Sequence, residues 1–337
     1  MIKEAIYQLV NNEDLSLELA KSVMDEIMQG EATNAQIASF LTAMRMKGES
    51  IDEITACAMV MRKHGIKLAH ENDVLEIVGT GGDEAYTFNI STVSAFVIAA
   101  AGIPVAKHGN RSVSSKCGSA DVLEALGVKL DLTAEQSARV LQEIGMCFLF
   151  APIYHSSMKY AAPVRRELGV RTIFNILGPL SNPAGATLQL LGVYDESLVE
   201  PLAHVLANLG VKRAMVVHGH DGLDEVSLCD STTVCEVNNG KLNSFFLDPR
   251  HFGFETCRPE DLVGGDPAEN AKIARNILNG EKGPKRDVVL LNSAVCLYMS
   301  YNNITLRECV KLAAEIIDSG KAAQKLADFV RLTNEVS

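Results

Sequence analysis

The amino-acid sequence predicts an α/β protein, with a small all-helical N-terminal domain followed by a larger α/β domain around a mainly parallel central sheet. Residues 1–65 carry apolar side chains at helical spacing and show no strand pattern. From residue 73 onward, short apolar runs alternate with helical segments, which is typical of α/β domains. The chain has 337 residues, enough for one large domain and a smaller one. We therefore place the helical domain at residues 1–70 and the α/β domain at 73–337.

Four helices are predicted within the helical domain. Two of them are marked by apolar side chains that recur every three or four positions: Ile2, Ala5, Ile6, Leu9 and Val10, then Ala20, Val23, Met24, Ile27 and Met28. The other two begin at capping boxes, Thr33 with Gln36 and Ser50 with Glu53. The apolar faces of these helices predict packing and a dimer contact rather than a cofactor site.

A strand, a loop, a helix and a second strand are predicted in order at the start of the α/β domain. The apolar run 74–78 predicts a buried strand that ends at Gly79. The apolar stretch 93–101, which follows a serine and a threonine, predicts a helix. Residues 103–106 predict the next buried strand. Lys107 then follows the carboxyl end of a strand, where α/β sheets bind their ligands.

Further strands and helices are predicted along the rest of the chain. Apolar runs at 211–217 and 288–291 predict two more buried parallel strands. Helices are predicted between them and beyond, one over residues 267–278 and one that begins at the capping box of Thr305 and Glu308.

Two glycine-rich loops lie on either side of the first α/β helix. The first reads GTGGD over 79–83, and the second reads KHGNRSVSS and then GSAD over 107–121. Glycine lets a backbone turn tightly and approach a ligand, so that successive N–H groups converge on phosphate oxygens. A helix N-terminus beside such a loop adds partial positive charge. Because the loops lie on both sides of one helix, they predict a ligand with two separate phosphate groups.

Composition excludes several classes of protein. The net charge of −11 argues against a nucleic-acid surface. No apolar run of 18 residues is present, so no transmembrane helix is expected, and the charged N-terminus does not resemble a signal peptide. Eight cysteines occur without a CxxC pair, which is typical of a reducing compartment and predicts a cytoplasmic protein.

An ordered set of motifs resembles one known family. The motifs are GTGGD, TFNIST, KHGNRSVSS, GSAD, VRRELGVRTIFNILGP over 164–179 and HGHDGLDEVS over 218–227. Together they resemble the anthranilate phosphoribosyltransferases of tryptophan biosynthesis. Two positions depart from the pattern, since Glu84 stands where glycine is common and Tyr86 stands where a smaller residue is usual.

The resemblance implies a fold of the nucleoside phosphorylase and phosphoribosyltransferase type. Part of the segment near 163–182 is then expected to return to the helical domain, with the cleft between the domains. The implied reaction transfers the phosphoribosyl group of phosphoribosyl pyrophosphate to the amine of anthranilate, with release of pyrophosphate. The partners implied are these two small molecules and a second copy of the chain, which contacts the first through the helical domain. Nucleic acid and membranes are not expected as partners.

Asp224 and Glu225 form an adjacent acidic pair that follows a predicted strand. Magnesium prefers a few carboxylates together with waters and substrate oxygens, so this pair suits it. The resemblance implies two Mg²⁺ ions per site, with Glu225 at both ions, Asp224 at one and the Ser91 hydroxyl at another. By itself, an Asp–Glu pair in a loop is more often a solvated surface feature.

The resemblance also implies which residues bind the substrates. The catalytic residues are Asp224, Glu225 and Lys107. The residues expected to bind phosphoribosyl pyrophosphate are Gly79, Gly82, Asp83, Thr87, Asn89, Ile90, Ser91, Thr92, Lys107, His108, Gly109, Asn110, Arg111, Ser112, Val113, Ser114, Ser115 and Ser119. Those expected to bind anthranilate are Gly79, Asn110 and Arg165.

Arg165 and two histidines have alternative interpretations. The Arg165 guanidinium can pair with the carboxylate of anthranilate through two hydrogen bonds. It could also form a surface ion pair with Glu167, which is close in sequence. His108 and His155 could line the same slot, although single histidines are more often structural.

Two other functions remain open from the sequence. A pyrimidine nucleoside phosphorylase shares the implied architecture, but it has no pyrophosphate to hold and therefore no need of the acidic pair. A non-catalytic nucleic-acid-binding relative would need a basic groove, whereas this chain is acidic.

Overall fold

The structure is a computed structural model that describes residues 1–112 and 116–336. The chain begins with four helices, as predicted: α1 Ile2–Val10, α2 Leu17–Gln29, α3 Asn34–Lys47 and α4 Ile51–His64. Both predicted capping boxes are formed. The Thr33 hydroxyl accepts a hydrogen bond from the Gln36 N–H, and the Ser50 hydroxyl accepts one from the Glu53 N–H.

The α/β region is built on a single sheet of seven strands in the described residues. The strands are β1 Leu75–Gly79, β2 Val105–Gly109, β3 Met146–Phe150, β4 Leu188–Gly192, β5 Arg213–Gly219, β6 Thr232–Asn238 and β7 Lys241–Leu247. Their order is β3-β2-β1-β4-β5-β6-β7. Strands β1–β5 pair with one another in parallel, whereas β6 is antiparallel to both β5 and β7. The predicted fold class is therefore confirmed.

Helices cover this sheet and connect its strands. They are α5 Ile90–Ala100, α6 Ser119–Ala125, α7 Ala134–Ile144, α8 Ala151–Tyr154, α9 Ala162–Leu168, α10 Phe174–Leu177, α11 Val199–Asn208, α12 Pro267–Leu278, α13 Pro284–Ser300, α14 Leu306–Asp318 and α15 Lys321–Glu335. Short 3₁₀ turns occur at Ser156–Tyr160, Glu196–Leu198, Pro249–Phe252 and Pro259–Leu262. The helix predicted at 267–278 is confirmed as α12, and the capping box at Thr305 begins α14.

The predicted strand at 288–291 is wrong. These residues lie within α13, a helix of 17 residues whose side chains are buried on nearly all sides. A helix that is buried all round has no polar face, so its apolar run lacks helical periodicity. Over four residues, such a run cannot be distinguished from a buried strand. Pro284 near the first turn was the available signal, because proline is favoured at helix starts.

The other predicted strands are confirmed with small shifts. The run at 74–78 forms β1, the run at 103–106 begins two residues before β2, and the run at 211–217 forms most of β5. Strands β3, β4, β6 and β7 were not predicted.

The two largest of the three apolar cores in the described residues lie on the two sides of the sheet. One contains α5 and α12–α15 together with residues of β1, β2 and β5. The other contains α1–α4 and α11, with Val164, Phe174 and Leu177 among its buried side chains. Side chains of the 161–180 region thus share a core with the N-terminal helices. The domain limits at 1–70 and 73–337 stay a prediction.

Four neighbouring strands of the sheet end in glycine. β2, β1, β4 and β5 stand side by side in that order, and their last residues are Gly109, Gly79, Gly192 and Gly219. The carboxyl ends of adjacent parallel strands meet at one edge of a sheet, which is where such sheets bind ligands. Across the described residues, none of the helices has the length and apolar character that crossing a membrane requires.

Candidate functional site

The loop that carries the acidic pair lies directly on the ends of two strands. A Cβ added at Gly79 would lie 2.4 Å from Asp224 Oδ2, and one added at Gly192 would lie 1.6 Å from the Asp224 carbonyl oxygen. Neither position can accept a side chain while the loop stays in place. The glycines at the ends of β1 and β4 therefore let Asp224 approach the edge of the sheet.

Asp224 also contacts the first glycine-rich loop. Its Oδ2 accepts a hydrogen bond of 2.6 Å from the Gly81 N–H. Gly81 and Gly82 have φ values of 68° and 77°, a left-handed conformation that favours glycine. Burial, with the neighbouring charges of Asp83 and Glu225, raises the pKa of Asp224 well above its usual range.

Glu225 and Lys107 meet at Ser91, in the first turn of α5. Glu225 Oε1 accepts a hydrogen bond of 3.1 Å from the Ser91 N–H, and Lys107 Nζ donates to the Ser91 hydroxyl at 3.2 Å. Lys107 Nζ also donates to the Ile77 carbonyl of β1 at 2.7 Å. Burial raises the pKa of Glu225 to about 7, although the positive charge of Lys107 opposes this shift. Burial lowers the pKa of Lys107, which the charges of Glu225 and Glu76 oppose.

The acidic pair is not a solvated surface feature. Asp224 is 9% exposed and Glu225 is 8% exposed. In the described residues, no group of three His, Cys, Asp or Glu side chains could hold a metal ion by itself. Magnesium does not need such a group, because it is commonly held by one or two carboxylates together with substrate oxygens and waters. Burial and the repulsion of neighbouring carboxylates raise the pKa of Asp224. A divalent cation relieves this repulsion, so the two acids fit Mg²⁺.

The shifted pKa of Glu225 predicts how stability depends on pH. An unfolded glutamate releases its proton near pH 4.3, whereas the folded Glu225 holds it to about pH 7. The folded state therefore binds more protons in this window, and Glu225 should lower the free energy of unfolding as pH rises through it. Urea unfolding of the unliganded protein at several pH values measures the effect.

Two buried neighbours make a matched variant necessary for that measurement. Burial raises the pKa of Glu76 to about 8, and burial with His155 lowers the pKa of His108 to about 3. His108 has the opposite sign, because its unfolded form binds the proton between about pH 3 and 6.5. Glu225→Gln should therefore remove only part of the pH dependence between pH 5 and 7.5. An identical profile in the variant would contradict the assignment to Glu225.

Asp121 closes the second glycine-rich loop. Its Oδ2 accepts hydrogen bonds of 2.9 Å from the N–H groups of Ser112 and Gly118, which both lie within the loop. Burial opposes ionisation, but these bonds and the Arg111 guanidinium lower the pKa of Asp121. The sequence contained this residue in GSAD, without a role assigned to it. The predicted ligands Val113, Ser114 and Ser115 lie outside the described residues.

The remaining residues of the second loop contact one another. Arg111 forms ion pairs with Asp121 at 3.1 Å and Glu124 at 2.8 Å, so its charge is directed to these acids. The Asn110 carbonyl accepts hydrogen bonds from the Ala120 N–H at 3.1 Å and the Ser119 hydroxyl at 3.4 Å. These contacts position Asn110 and Ser119 next to the start of α6.

Asn89 connects the start of α5 with the second loop and with α12. Its Nδ2 donates to the Cys117 carbonyl of the second loop at 3.1 Å, and its Oδ1 accepts from Asn270 Nδ2 of α12 at 3.0 Å. Asn89 is the N-cap residue of α5, but its side chain makes no capping bond because it is used for these contacts. Thr87 forms an isolated bridge with Val263. Ile90 and Thr92 are buried in the first turn of α5 beside Ser91.

Two buried histidines lie next to each other at the end of β2. The ring centroids of His108 and His155 are 5.1 Å apart, and each Nε2 is buried without a hydrogen-bond partner in the described residues. Burial lowers the pKa of both side chains, so both are neutral at pH 7. The backbone N–H of His108 donates to Glu76 Oε1 at 3.3 Å.

Arg165 lies on α9. Its guanidinium stacks over the Phe174 ring, 5.2 Å from the centroid. Burial lowers its pKa, and no acid of the described residues opposes that shift. The alternative ion pair with Glu167 is therefore not formed. The described residues also show no hydrogen bond between Arg165 and either loop.

Sequence reasoning missed Arg171, which contacts the first glycine-rich loop. Arg171 donates a hydrogen bond to the Gly82 carbonyl, and its guanidinium lies 4.2 Å from the centroid of the Tyr194 ring. The Tyr194 N–H in turn donates to the Thr80 hydroxyl at 3.1 Å. Arg171 lies within the 164–179 motif, and its position in that motif was the sequence signal that could have marked it as a site residue.

The two unusual positions of the first loop both have left-handed backbones. Glu84 has a φ of 59° and Tyr86 a φ of 52°, and both side chains are exposed. Glycine adopts this conformation without steric cost, which explains why a glycine is suitable at position 84.

Asn292 of α13 was also missed, and it holds the acidic loop. Its Oδ1 accepts a hydrogen bond of 3.0 Å from the Val226 N–H, and its Nδ2 donates to the Val226 carbonyl at 2.9 Å. Both backbone groups of the residue after Glu225 are thus bonded to one fully buried amide. No sequence signal pointed to Asn292, because the segment before it was predicted to be a strand.

Comparisons with known families match nearly the whole chain. The model described as "Glycosyl transferase family, helical bundle domain" matches residues 3–65, and that described as "Glycosyl transferase family, a/b domain" matches residues 71–323.

Relatives that are similar over nearly their whole length share one name, anthranilate phosphoribosyltransferase. The chain is 72% identical to an anthranilate phosphoribosyltransferase of Ruminiclostridium cellulolyticum, over 99% of this chain and 98% of that protein. It is 59% identical to one of Methanobrevibacter smithii, over 99% of this chain and 100% of the relative.

Solved structures of the same name are also similar. The anthranilate phosphoribosyltransferase of Thermus thermophilus has a TM-score of 0.93 at 43% identity, over 98% of this chain and 99% of that chain. The enzyme of Saccharomyces cerevisiae in complex with PRPP and Mg has a TM-score of 0.90 at 30% identity, over 99% of this chain and 98% of that chain.

Proposed function

This chain belongs to the anthranilate phosphoribosyltransferase family, and from this premise we propose how its own residues perform the family's reaction. The enzyme transfers the phosphoribosyl group of phosphoribosyl pyrophosphate to the amine of anthranilate in tryptophan biosynthesis. The new bond joins the anomeric carbon to the amine nitrogen, and pyrophosphate leaves. The single observation that carries our assignment of the site is the contact of Ser91 with both Glu225 and Lys107 at the end of β1.

We propose that Asp224, Glu225 and the Ser91 hydroxyl hold two Mg²⁺ ions per site. Both acids are buried and repel each other, and Asp224 contacts the first glycine-rich loop whereas Glu225 contacts the first turn of α5, which supports two positions for a cation. Bound Mg²⁺ neutralises the charge that develops on departing pyrophosphate. Glu225 would orient the Ser91 backbone, and Asp224 would orient Gly81, so the acids also fix the N–H groups around the leaving group.

The phosphoribosyl pyrophosphate site is proposed at the two glycine-rich loops. Gly79, Gly82, Asp83 and the 87–92 segment would surround the pyrophosphate, since they lie beside the acids at the end of β1. Lys107–Ser119 would bind the remaining phosphate, with backbone N–H groups and hydroxyls as donors. Lys107 itself is positioned by the Ile77 carbonyl and donates to the hydroxyl of Ser91. Its positive charge, which is nearly completely buried, would stabilise the leaving group.

Anthranilate is proposed to bind at Gly79, Asn110 and Arg165, near the neutral pair of His108 and His155. Arg165 has no carboxylate partner in the described residues, so its guanidinium can pair with the carboxylate of the substrate. The aromatic amine is uncharged at neutral pH, and it can attack without prior loss of a proton. Alignment and electrostatic stabilisation would then supply most of the rate.

Arg165→Ala should raise the KM for anthranilate far more than the KM for phosphoribosyl pyrophosphate. A lost charge-assisted hydrogen bond costs about 1.5–3 kcal/mol, which corresponds to roughly 10- to 100-fold. Steady-state kinetics with each substrate varied in turn measures the two constants. Arg166→Ala is the matched control, because Arg166 is the exposed neighbour on the same helix. A rise confined to the KM for phosphoribosyl pyrophosphate would assign Arg165 to the other substrate.

We propose that the enzyme is a homodimer that forms through the helical domain. Four exposed apolar side chains support this: Tyr7 and Val10 on α1, Met46 on α3 and Val170 after α9. These three helices contact one another in the order α1, α3, α9. Met46 and Val170 also line one cavity of about 510 Å³. Exposed apolar side chains on helices that contact one another support a protein interface there.

Met46→Glu should shift the protein toward monomer, because an interface that buries an unpaired charge loses affinity. Sedimentation equilibrium at several concentrations measures the shift. Phe246→Glu is the matched control, since Phe246 is another largely exposed apolar residue, on β7 at the edge of the sheet. If the Met46 variant and the control have the same mass as the unmodified protein, the helical domain does not form the interface.

We also propose a cytoplasmic location, which is supported by eight cysteines without a CxxC pair.

The reaction itself is tested by the loss of anthranilate fluorescence on mixing with phosphoribosyl pyrophosphate and Mg²⁺. We expect loss only when all three are present. Uridine with inorganic phosphate serves as a second assay, because a nucleoside phosphorylase would release uracil from it. Turnover in the second assay and none in the first would overturn the proposed function.

A further inference from the structure

Two cysteines outside the substrate site have their sulfur atoms in contact. Cys229 Sγ and Cys257 Sγ are 3.4 Å apart, and both are free thiols that are partly exposed. Their backbones are also adjacent, since the Cys257 N–H approaches the Leu228 carbonyl at 3.4 Å. The residues around Cys257, namely Glu255, Thr256 and Arg258, are exposed, so a small molecule can reach this thiol from solvent.

We propose that Cys229 and Cys257 form a modification site that a small-molecule disulfide of the glutathione type converts reversibly to an intramolecular disulfide. The sulfur atoms of a disulfide are about 2.05 Å apart, and the bond is possible only where the two backbones already lie close together. Here the backbones are adjacent and the sulfurs are in contact, so rotation of the two side chains is sufficient.

The oxidation takes place in two exchange steps. The Cys257 thiolate attacks one sulfur of the small disulfide, whose other half leaves as a thiolate and takes up a proton. The Cys229 thiolate then attacks the Cys257 sulfur of the mixed disulfide and releases the second small thiol. Two electrons pass from the cysteine pair to the small disulfide, and the two thiol protons end on the two released thiols.

The environment of the pair assigns the first attack to Cys257. Burial raises the pKa of both thiols, but the hydrogen bond between them lowers the pKa of Cys257 and raises that of Cys229. The thiolate is the reacting form, so Cys257, which is the more acidic thiol and stands between the exposed Thr256 and Arg258, reacts first. Because both pKa values lie above neutrality, the reaction should accelerate as pH rises from 7 to 9.

The new bond would connect two segments that each contact residues next to the proposed substrate site. Cys229 follows the acidic loop, and its N–H donates to the Ser227 hydroxyl at 2.9 Å. Beyond Cys257, the Leu262 carbonyl accepts a hydrogen bond of 3.1 Å from the Phe88 N–H, next to the bridge of Thr87 with Val263. A disulfide would therefore join the acidic loop covalently to the segment that pairs with residues 87–88.

The test uses the full chain in buffers with graded ratios of reduced to oxidised glutathione, followed by alkylation and peptide mapping. We expect two alkylation sites to be lost together, a mass decrease of about 2 Da and a cross-linked peptide that contains residues 229 and 257. Reduction should restore both sites. The six other cysteines are internal controls, and their alkylation should not change.

Variants of each cysteine separate the two steps. Cys229→Ser should stop at the first step, with one glutathione on Cys257 and no loss of a second site. Cys257→Ser should react more slowly, because the remaining thiol is the less acidic one. Hydrogen exchange at residues 86–88 should slow on oxidation of the unmodified chain and not in either variant.

Three results would overturn the proposal. They are a disulfide between other cysteines, glutathione retained on both cysteines without a cross-link, or no reaction at pH 9 while the protein remains folded. None of these measurements depends on catalytic activity, so failure here would leave the proposed function unaffected.

Discussion

Glu225→Ala should lower turnover by about 10²-fold or more, which is the loss expected when a preorganised electrostatic group is removed. Glu225 is buried and bonds the Ser91 N–H, so its removal affects both the proposed magnesium position and the start of α5. The melting temperature should change little, because a buried carboxylate with a raised pKa does not stabilise the fold. Turnover is measured by the fluorescence assay at saturating Mg²⁺ and both substrates.

Asp230→Asn is the control for that experiment. Asp230 is an exposed acid in the same loop, five residues beyond Glu225, and its removal should leave turnover within about two-fold. Near-normal activity of Glu225→Ala at saturating Mg²⁺ would exclude Glu225 from the metal site. An equal loss in both variants would point instead to the net charge of the loop.

Asn292→Leu should lower turnover by roughly 10- to 100-fold and raise the Mg²⁺ concentration needed for half-maximal activity. The substitution keeps a similar volume, but it leaves the Val226 N–H and carbonyl buried without partners. Each such group costs about 1–3 kcal/mol, so the loop should move to find other partners. Glu225 precedes Val226, so the carboxylate loses its orientation when the loop moves.

The dependence on magnesium distinguishes orientation of Glu225 from general loss of structure. We expect the requirement for Mg²⁺ to rise in Asn292→Leu while the KM for anthranilate stays within about two-fold. Ser293→Ala is the matched control, because Ser293 is the next residue of α13 and its buried hydroxyl has no partner in the described residues. A parallel rise in both KM values with an unchanged Mg²⁺ requirement would show that Asn292 supports the fold alone.

Local structure was predictable wherever the signal lies within a few residues. Capping boxes at Thr33, Ser50 and Thr305 mark helix starts because the bonds they form span only three positions. The first strand and the helix after it were predicted for the same reason. The strand predicted at 288–291 is wrong because no such local signal exists there: a helix that is buried on all sides has no periodic apolar pattern.

The candidate site is a different case, because its contacts join residues that are far apart in sequence. Gly81 and Asp224 are separated by 143 positions, and Ser91 and Glu225 by 134. The motifs identified most of the residues on each side of these contacts. They could not show that the acidic pair is buried, that Arg111 is paired with Asp121, or that Arg171 reaches Gly82.

The sequence by itself determined the fold class, the helical N-terminal region, the two glycine-rich loops and the family. These depend on periodicity, turn chemistry and ordered motifs, all of which are local properties of the chain. Only the tertiary structure decided that β1, β2, β4 and β5 end side by side in glycine, and that Asp224 packs against Gly79 and Gly192. It also decided that Asn292, from a helix predicted as a strand, holds the residue after Glu225. Such contacts depend on how distant segments pack, because burial and bonding at each position are set by neighbours that no local pattern specifies.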